Sequence, residues 1–122
     1  MFFVPDVVKA SEYYCDVLGF TPQEPYGDPP CFNFVRRDRV EIMFKLAPSP
    51  DLVRPNGAHD AWDAYIWVDD LALIRDELRR RGANIISETP RTFYGCSELD
   101  VVDCNGYRLC FAQDVSQSQP AS

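Results

Sequence analysis

Apolar and polar positions along this chain follow one pattern that occurs twice. The first copy opens on Phe2-Phe3-Val4, a stretch of strand character, and breaks at Pro5-Asp6. Ala10, Tyr13, Tyr14, Val17 and Leu18 then recur at helical spacing; Asp6 is placed to cap that helix and Gly19 to end it. The second copy opens on Ala64 to Val68, with Tyr65 and Trp67 alternating along a strand. Asp69 or Asp70 caps a second helix, Leu71, Ile74 and Leu78 form its buried stripe, and Gly82 follows it. Val4-Pro5-Asp6-Val7-Val8 and Val68-Asp69-Asp70-Leu71-Ala72 stand 64 residues apart, and Val40-Glu41-Ile42-Met43-Phe44 and Tyr107-Arg108-Leu109-Cys110-Phe111 stand 67 apart. Two offsets this close mark a duplicated unit, and such self-similarity decides architecture ahead of local propensity.

The rest of each copy reads as strands. Phe20 to Tyr26 is extended, and Gly27-Asp28-Pro29-Pro30 is a turn. Phe32 and Phe34 alternate with Asn33 and Val35 over a short strand, residues 36–39 form a polar hairpin turn, and Val40 to Leu46 returns. In the second copy Asn84 to Glu88 is a strand, Thr92 to Tyr94 leads through Gly95 into Ser97 to Val102, and Asn105-Gly106 signals a two-residue hairpin before Tyr107 to Gln113. The fold class is therefore α+β: two tandem βαβββ modules whose curved antiparallel sheets carry helices on one side and a concave cleft on the other. At 122 residues the chain has one core's worth of sequence. Residues 1–113 form a single domain, with module one over 1–47, a linker over 48–60 rich in proline, and module two over 61–113. Residues 114–122 are a polar tail.

Charge and cysteine usage narrow the partners. A formal charge of -7 disfavours nucleic acid and anionic membrane, and is compatible with a cationic small molecule, although an acidic surface also serves solubility. No apolar run is long enough to span a bilayer, and Met1-Phe2-Phe3-Val4 lacks the pattern of a signal peptide. Five cysteines, an odd number without CxxC spacing, point to reduced thiols and a cytoplasmic location. Arg79-Arg80-Arg81 sit where positive charge suits the end of a helix dipole.

Several segments together resemble the vicinal-oxygen-chelate superfamily, which contains glyoxalase I, extradiol dioxygenases, fosfomycin-resistance thiol transferases and bleomycin resistance proteins. They are Val4-Pro5-Asp6 through Tyr13-Tyr14 to Leu18-Gly19-Phe20, Arg81-Gly82-Ala83, Gly95-Cys96-Ser97-Glu98, and Asp103-Cys104-Asn105-Gly106-Tyr107. The resemblance covers roughly residues 2–113. It implies homodimers with clefts shared between chains, and in many members a divalent metal between modules, held by histidine on the first strand of each module and a carboxylate on the last. The last-strand positions fall here on Met43 and Cys110, and the first-strand position of module two falls near Asp63. The single histidine, His59, lies in the linker. The closest likeness is to the metal-free bleomycin resistance branch, carried by Arg39 to Phe44, Asp63 to Val68 and Tyr94 to Leu99, with Ser97 and Cys104 where that branch often has arginine and proline.

The expected activity is thus metal-independent, cofactor-free binding of a small molecule, with no bond made or broken. The alternative is a glyoxalase- or dioxygenase-like enzyme using zinc, nickel, manganese or iron with a ligand upstream of Met1. The expected ligand-binding residues are Phe32, Phe34, Tyr65, Trp67, Tyr94 and Phe111, which offer rings for stacking and cation–π contact, and Glu98, which can accept a hydrogen bond from a ligand amine. Trp67 is the central candidate, and Trp62 is read as a linker-end or dimer contact. His59 can rim the cleft. Cys96 and Cys110 have no cation beside them in sequence and read as inert thiols.

Overall fold

A computed structural model describes residues 1–56 and 61–116. Module one contains β1 (Phe2–Val4), α1 (Val7–Asp16), β2 (Thr21–Pro22), β3 (Phe32–Arg37) and β4 (Val40–Leu46). Module two contains β5 (Ala64–Trp67), α2 (Leu71–Arg80), β6 (Asn84–Thr89), β7 (Cys96–Val102) and β8 (Arg108–Asp114). The duplication is complete at the level of elements, and a 3-10 turn, Pro50–Leu52, interrupts the linker.

Each module forms a four-stranded sheet, in the orders β1-β4-β3-β2 and β5-β8-β7-β6. The helix carries the chain from the first strand across to the far edge, and three antiparallel strands walk it back. The last strand therefore runs parallel to the first, as β1 does to β4 and β5 to β8. The sheets are mixed rather than wholly antiparallel. Among the described residues neither closes into a barrel.

Both helices form where the periodicity places them. The Asp6 carboxylate accepts from the backbone N–H of Val8 and Lys9 at 3.0 Å, and Asp70 rather than Asp69 caps α2 through Leu73 N–H. Their buried stripes pack on one face of each sheet and merge into one core, in which Tyr14, Leu18, Val35, Phe44, Leu78, Leu99, Val101, Leu109 and Phe111 have almost no exposed surface. The modules are joined across this core. Phe2 stacks on Tyr107 at 4.3 Å, Tyr14 Oη donates to Asp103 Oδ2 at 2.5 Å, and Arg37 forms a two-pronged ion pair with Glu77.

Several boundaries differ from the sequence reading. Arg36 and Arg37 belong to β3, paired with Glu41 and Val40, so the turn shrinks to Asp38-Arg39, with Asp38 at a φ of 53°. The extended stretch after Gly19 keeps only two residues of strand, plus a bridge from Tyr26 to Phe32. Asn105-Gly106 is not a two-residue hairpin. The Asp103 carboxylate accepts from the N–H of Asn105 and Tyr107 and organises a wider loop, so β8 starts at Arg108.

Candidate functional site

Strand alternation sends one set of residues into the core and the other to the face of each sheet that carries no helix. On module two that open face is made by Tyr65 and Trp67 of β5, Cys96, Glu98 and Asp100 of β7, and Arg108, Cys110 and Ala112 of β8. The register sets Tyr65 beside Cys110 and Asp100, and Trp67 beside Ala112 and Glu98. Tyr65 stands between two indoles, with ring centroids 4.8 Å from Trp62 and 5.2 Å from Trp67. Trp67, the last residue of β5, forms one end of this row of rings and is 60% exposed.

Two carboxylates lie beneath the rings. Glu98, only 7% exposed, accepts at Oε2 from the hydroxyls of Tyr65 (2.5 Å) and Tyr94. Asp100 Oδ2 accepts from the Trp62 indole N–H at 3.1 Å and from Arg108 Nη2 at 2.6 Å. The two anions are balanced differently. Asp100 is matched by a guanidinium, whereas the partners of Glu98 are neutral hydroxyls. Burial and then the bond to Glu98 raise the Tyr65 hydroxyl well above its ordinary pKa, and the bond to Glu98 raises that of Tyr94, so both remain donors.

Module one presents a second open face of different chemistry. Phe32 and Phe34 of β3 lie beside Lys45 and Met43 of β4, and the Tyr26 ring covers both phenylalanines at centroid distances of 5.8 and 6.3 Å. Arg36 lies over the Phe34 ring at 5.5 Å and pairs with Glu41 at 2.7 Å. By register, Phe32 and Phe34 occupy the places that Glu98 and Asp100 hold in module two.

The structure brings Tyr65, Trp67, Tyr94 and Glu98 together on one wall and sets Phe32 and Phe34 on another. Phe111 is a correction. It has no exposed surface and points into the core beneath α2, because its neighbours Cys110 and Ala112 take the open face. Trp62, Asp100, Arg108 and Tyr26 join the two faces without having been singled out as site residues. His59 lies outside the described residues.

The positions that would hold a divalent ion do not fit one. Asp63 is engaged by backbone N–H groups of Asn56 (2.9 Å) and Arg108 (2.9 Å). Burial and the neighbouring Asp100 push the Cys110 thiol far above its ordinary pKa, so it is not a ready thiolate. Met43 offers a thioether on the other sheet. Among the described residues no three of His, Cys, Asp and Glu gather as a metal site would require.

The model of the Glyoxalase/Bleomycin resistance protein/Dioxygenase superfamily matches residues 1–111. The chain belongs to this superfamily. Among solved structures, TioX from Micromonospora sp. ML1 superimposes with a TM-score of 0.70 at 19% identity, covering 92% of this chain and 90% of that one. The bleomycin resistance determinant encoded on transposon Tn5 gives 0.70 at 18% identity, over 93% and 92%. TnmS3, an antibiotic binding protein from Streptomyces sp. CB03234, gives 0.70 at 18%, over 93% and 90%. At these identities the likeness is one of fold. No curated protein matches the chain. Within the superfamily fold, both open faces lie on the helix-free side of their sheets. Among the described residues no helix is long and apolar enough to cross a membrane.

Proposed function

We propose that the protein captures a small aromatic molecule without a metal or other cofactor and without making or breaking a bond, in the manner of a drug-sequestering resistance protein. The observation that carries this reading is the Trp62–Tyr65–Trp67 ring wall with Glu98 set into it. Stacking surface is large and partly exposed, and the carboxylate at its base is uncompensated by charge, which suits a ligand carrying an amine or other cation. The antibiotic-binding and bleomycin-resistance structures of the same fold support it. The donor chemistry at Asp63, Cys110 and Met43 supports independence from metal.

The working unit in this proposal is a homodimer in the cytoplasm. Trp67, Tyr94 and Phe93 on module two and Tyr26 on module one leave large apolar rings exposed in one chain, and a second copy would cover them. The five cysteines are free thiols, as a reducing compartment keeps them.

The test is a binding screen with cationic glycopeptide and planar aromatic antibiotics, run with and without EDTA. A true ligand at a hundred times its Kd raises stability by about 2.7 kcal/mol. The gain is expected to be the same in EDTA, and the ligand to be recovered chemically unchanged. Turnover of the ligand, or binding abolished by EDTA, would sink the proposal. Sedimentation equilibrium tests the dimer separately.

A further inference from the structure

A cavity of about 390 Å³ lies on the helix side of module two, between the start of α2, the end of β6, the start of β7 and the end of β8. Its walls include Arg75, Glu88, Thr89, Arg91, Ser97 and Gln113. Glu98 also borders it, but its carboxylate is bonded to Tyr65 and Tyr94 on the open face. The donors bordering the cavity are only partly engaged by the protein itself. Arg91 Nη1 donates to the carbonyl of Val115 at 2.9 Å, a neutral partner. Arg75 meets Asp76 and Glu88 only at 3.5 and 3.8 Å, and its Nε is buried without a hydrogen-bond acceptor. Charge-assisted pairs ordinarily close to about 2.7–2.9 Å. Glu88 is shared: its Oε2 pairs with Arg79 at 2.5 Å, and only its Oε1, at 3.8 Å, is turned to Arg75.

Neutral donors complete the lining. Gln113 Oε1 accepts the N–H of Leu71 at 2.8 Å, which fixes the carboxamide and leaves its NH2 group unpaired among the described residues. The Ser97 hydroxyl, on the same side of β7 as Gln113 on β8, has no protein partner among the described residues either. Two guanidiniums, a carboxamide NH2 and the Ser97 hydroxyl thus border one space in a chain whose overall charge is -7. A cavity with more donors than acceptors selects an acceptor-rich anion.

We infer that this cavity is a binding site for the oxyanion group, carboxylate or phosphoryl, of a small metabolite, separate from the aromatic wall and independent of the function proposed for it. The anion lies between Arg75 and Arg91, with Gln113 and Ser97 supplying directional hydrogen bonds.

Titration of the full chain with inorganic phosphate and with succinate, at ionic strength held constant with chloride, tests this. Saturable NMR shifts are expected at the amides of Thr89, Ser97 and Gln113 and at the Gln113 side-chain NH2. The tighter of the two anions identifies the source as phosphoryl or carboxylate. The double variant Arg75→Gln/Arg91→Gln should weaken binding by about tenfold or more, since a hydrogen bond to a charged group contributes at least that much. Glu88→Gln removes the competing carboxylate and should tighten it, an opposite sign that a general loss of folding cannot produce. Shifts that never saturate, or that appear equally with chloride, overturn the assignment, as does a double variant that binds phosphate and succinate unchanged.

Discussion

At the residue scale, the aromatic wall contains side chains whose roles can be separated by substitution. Trp67 is largely exposed, so Trp67→Ala should leave folding stability within about 0.5 kcal/mol of the parent. Its loss should cost about 1–3 kcal/mol of affinity for a stacking ligand, read by calorimetry with any hit from the antibiotic screen. Glu98→Gln keeps an acceptor for the tyrosine hydroxyls but removes the charge. Tryptamine and its neutral analogue tryptophol isolate that charge: the variant is expected to lose tryptamine binding selectively, and equal losses for both compounds would show that Glu98 acts only as a scaffold. Most of this wall could be seen in the sequence, because alternation puts Tyr65 and Trp67 on one face, and Glu98 on the matching face of β7. Phe111 could not be placed the same way. From Leu109 to Ala112 every residue of β8 is buried, so an unbroken apolar run hides which side each one faces. Asp100 and Arg108 stayed hidden for another reason. Their meaning lies in a cross-strand pair eight residues apart, which no local pattern reveals.

At the element scale, each helix is fixed by an aspartate at its start and an apolar stripe beneath it. Both features were legible because they repeat in the two modules at nearly one period. Asp6→Ala removes bonds to two backbone N–H groups and should cost about 1 kcal/mol in urea unfolding, with little change in the slope of the transition. Leu78→Ala opens a cavity under α2 where no surface is exposed, and should cost about 2–5 kcal/mol. A smaller effect for Leu78 than for Asp6 would mean that α2 is not anchored to the sheet as described. The loop before β8 shows where local signals mislead: Asn-Gly favours a tight turn, but the Asp103 carboxylate satisfies the N–H groups of a longer one and reaches Tyr14 across the modules.

At the scale of the whole molecule, the two modules meet through charged groups as well as rings. The guanidinium of Arg37, then that of Arg81, holds the Glu77 carboxyl below its ordinary value of 4.5. A lowered folded pKa means stability present above that ordinary value and lost as pH falls through the folded one. Glu77→Gln should therefore destabilise by about 1.5–3 kcal/mol at neutral pH. The gap from the parent should close below about pH 4.5. Asp103 has the opposite sign: burial raises its pKa, so its contribution weakens as pH rises through the folded value. Thermal melts of parent and Glu77→Gln across this range check the first effect; a gap that is constant with pH would place Glu77 outside the module contact. The order of elements and the duplicated architecture were readable from periodicity. The way the halves pack was not, since it depends on side chains such as Arg37 and Glu77, 40 positions apart.

Both indoles of the chain, Trp62 and Trp67, flank the same tyrosine on one sheet. Intrinsic tryptophan fluorescence therefore comes from that wall alone and from nowhere else in the molecule. Quenching or a spectral shift reports an occupant there without any label, while a molecule lodged beside α2 leaves the emission dark to its presence.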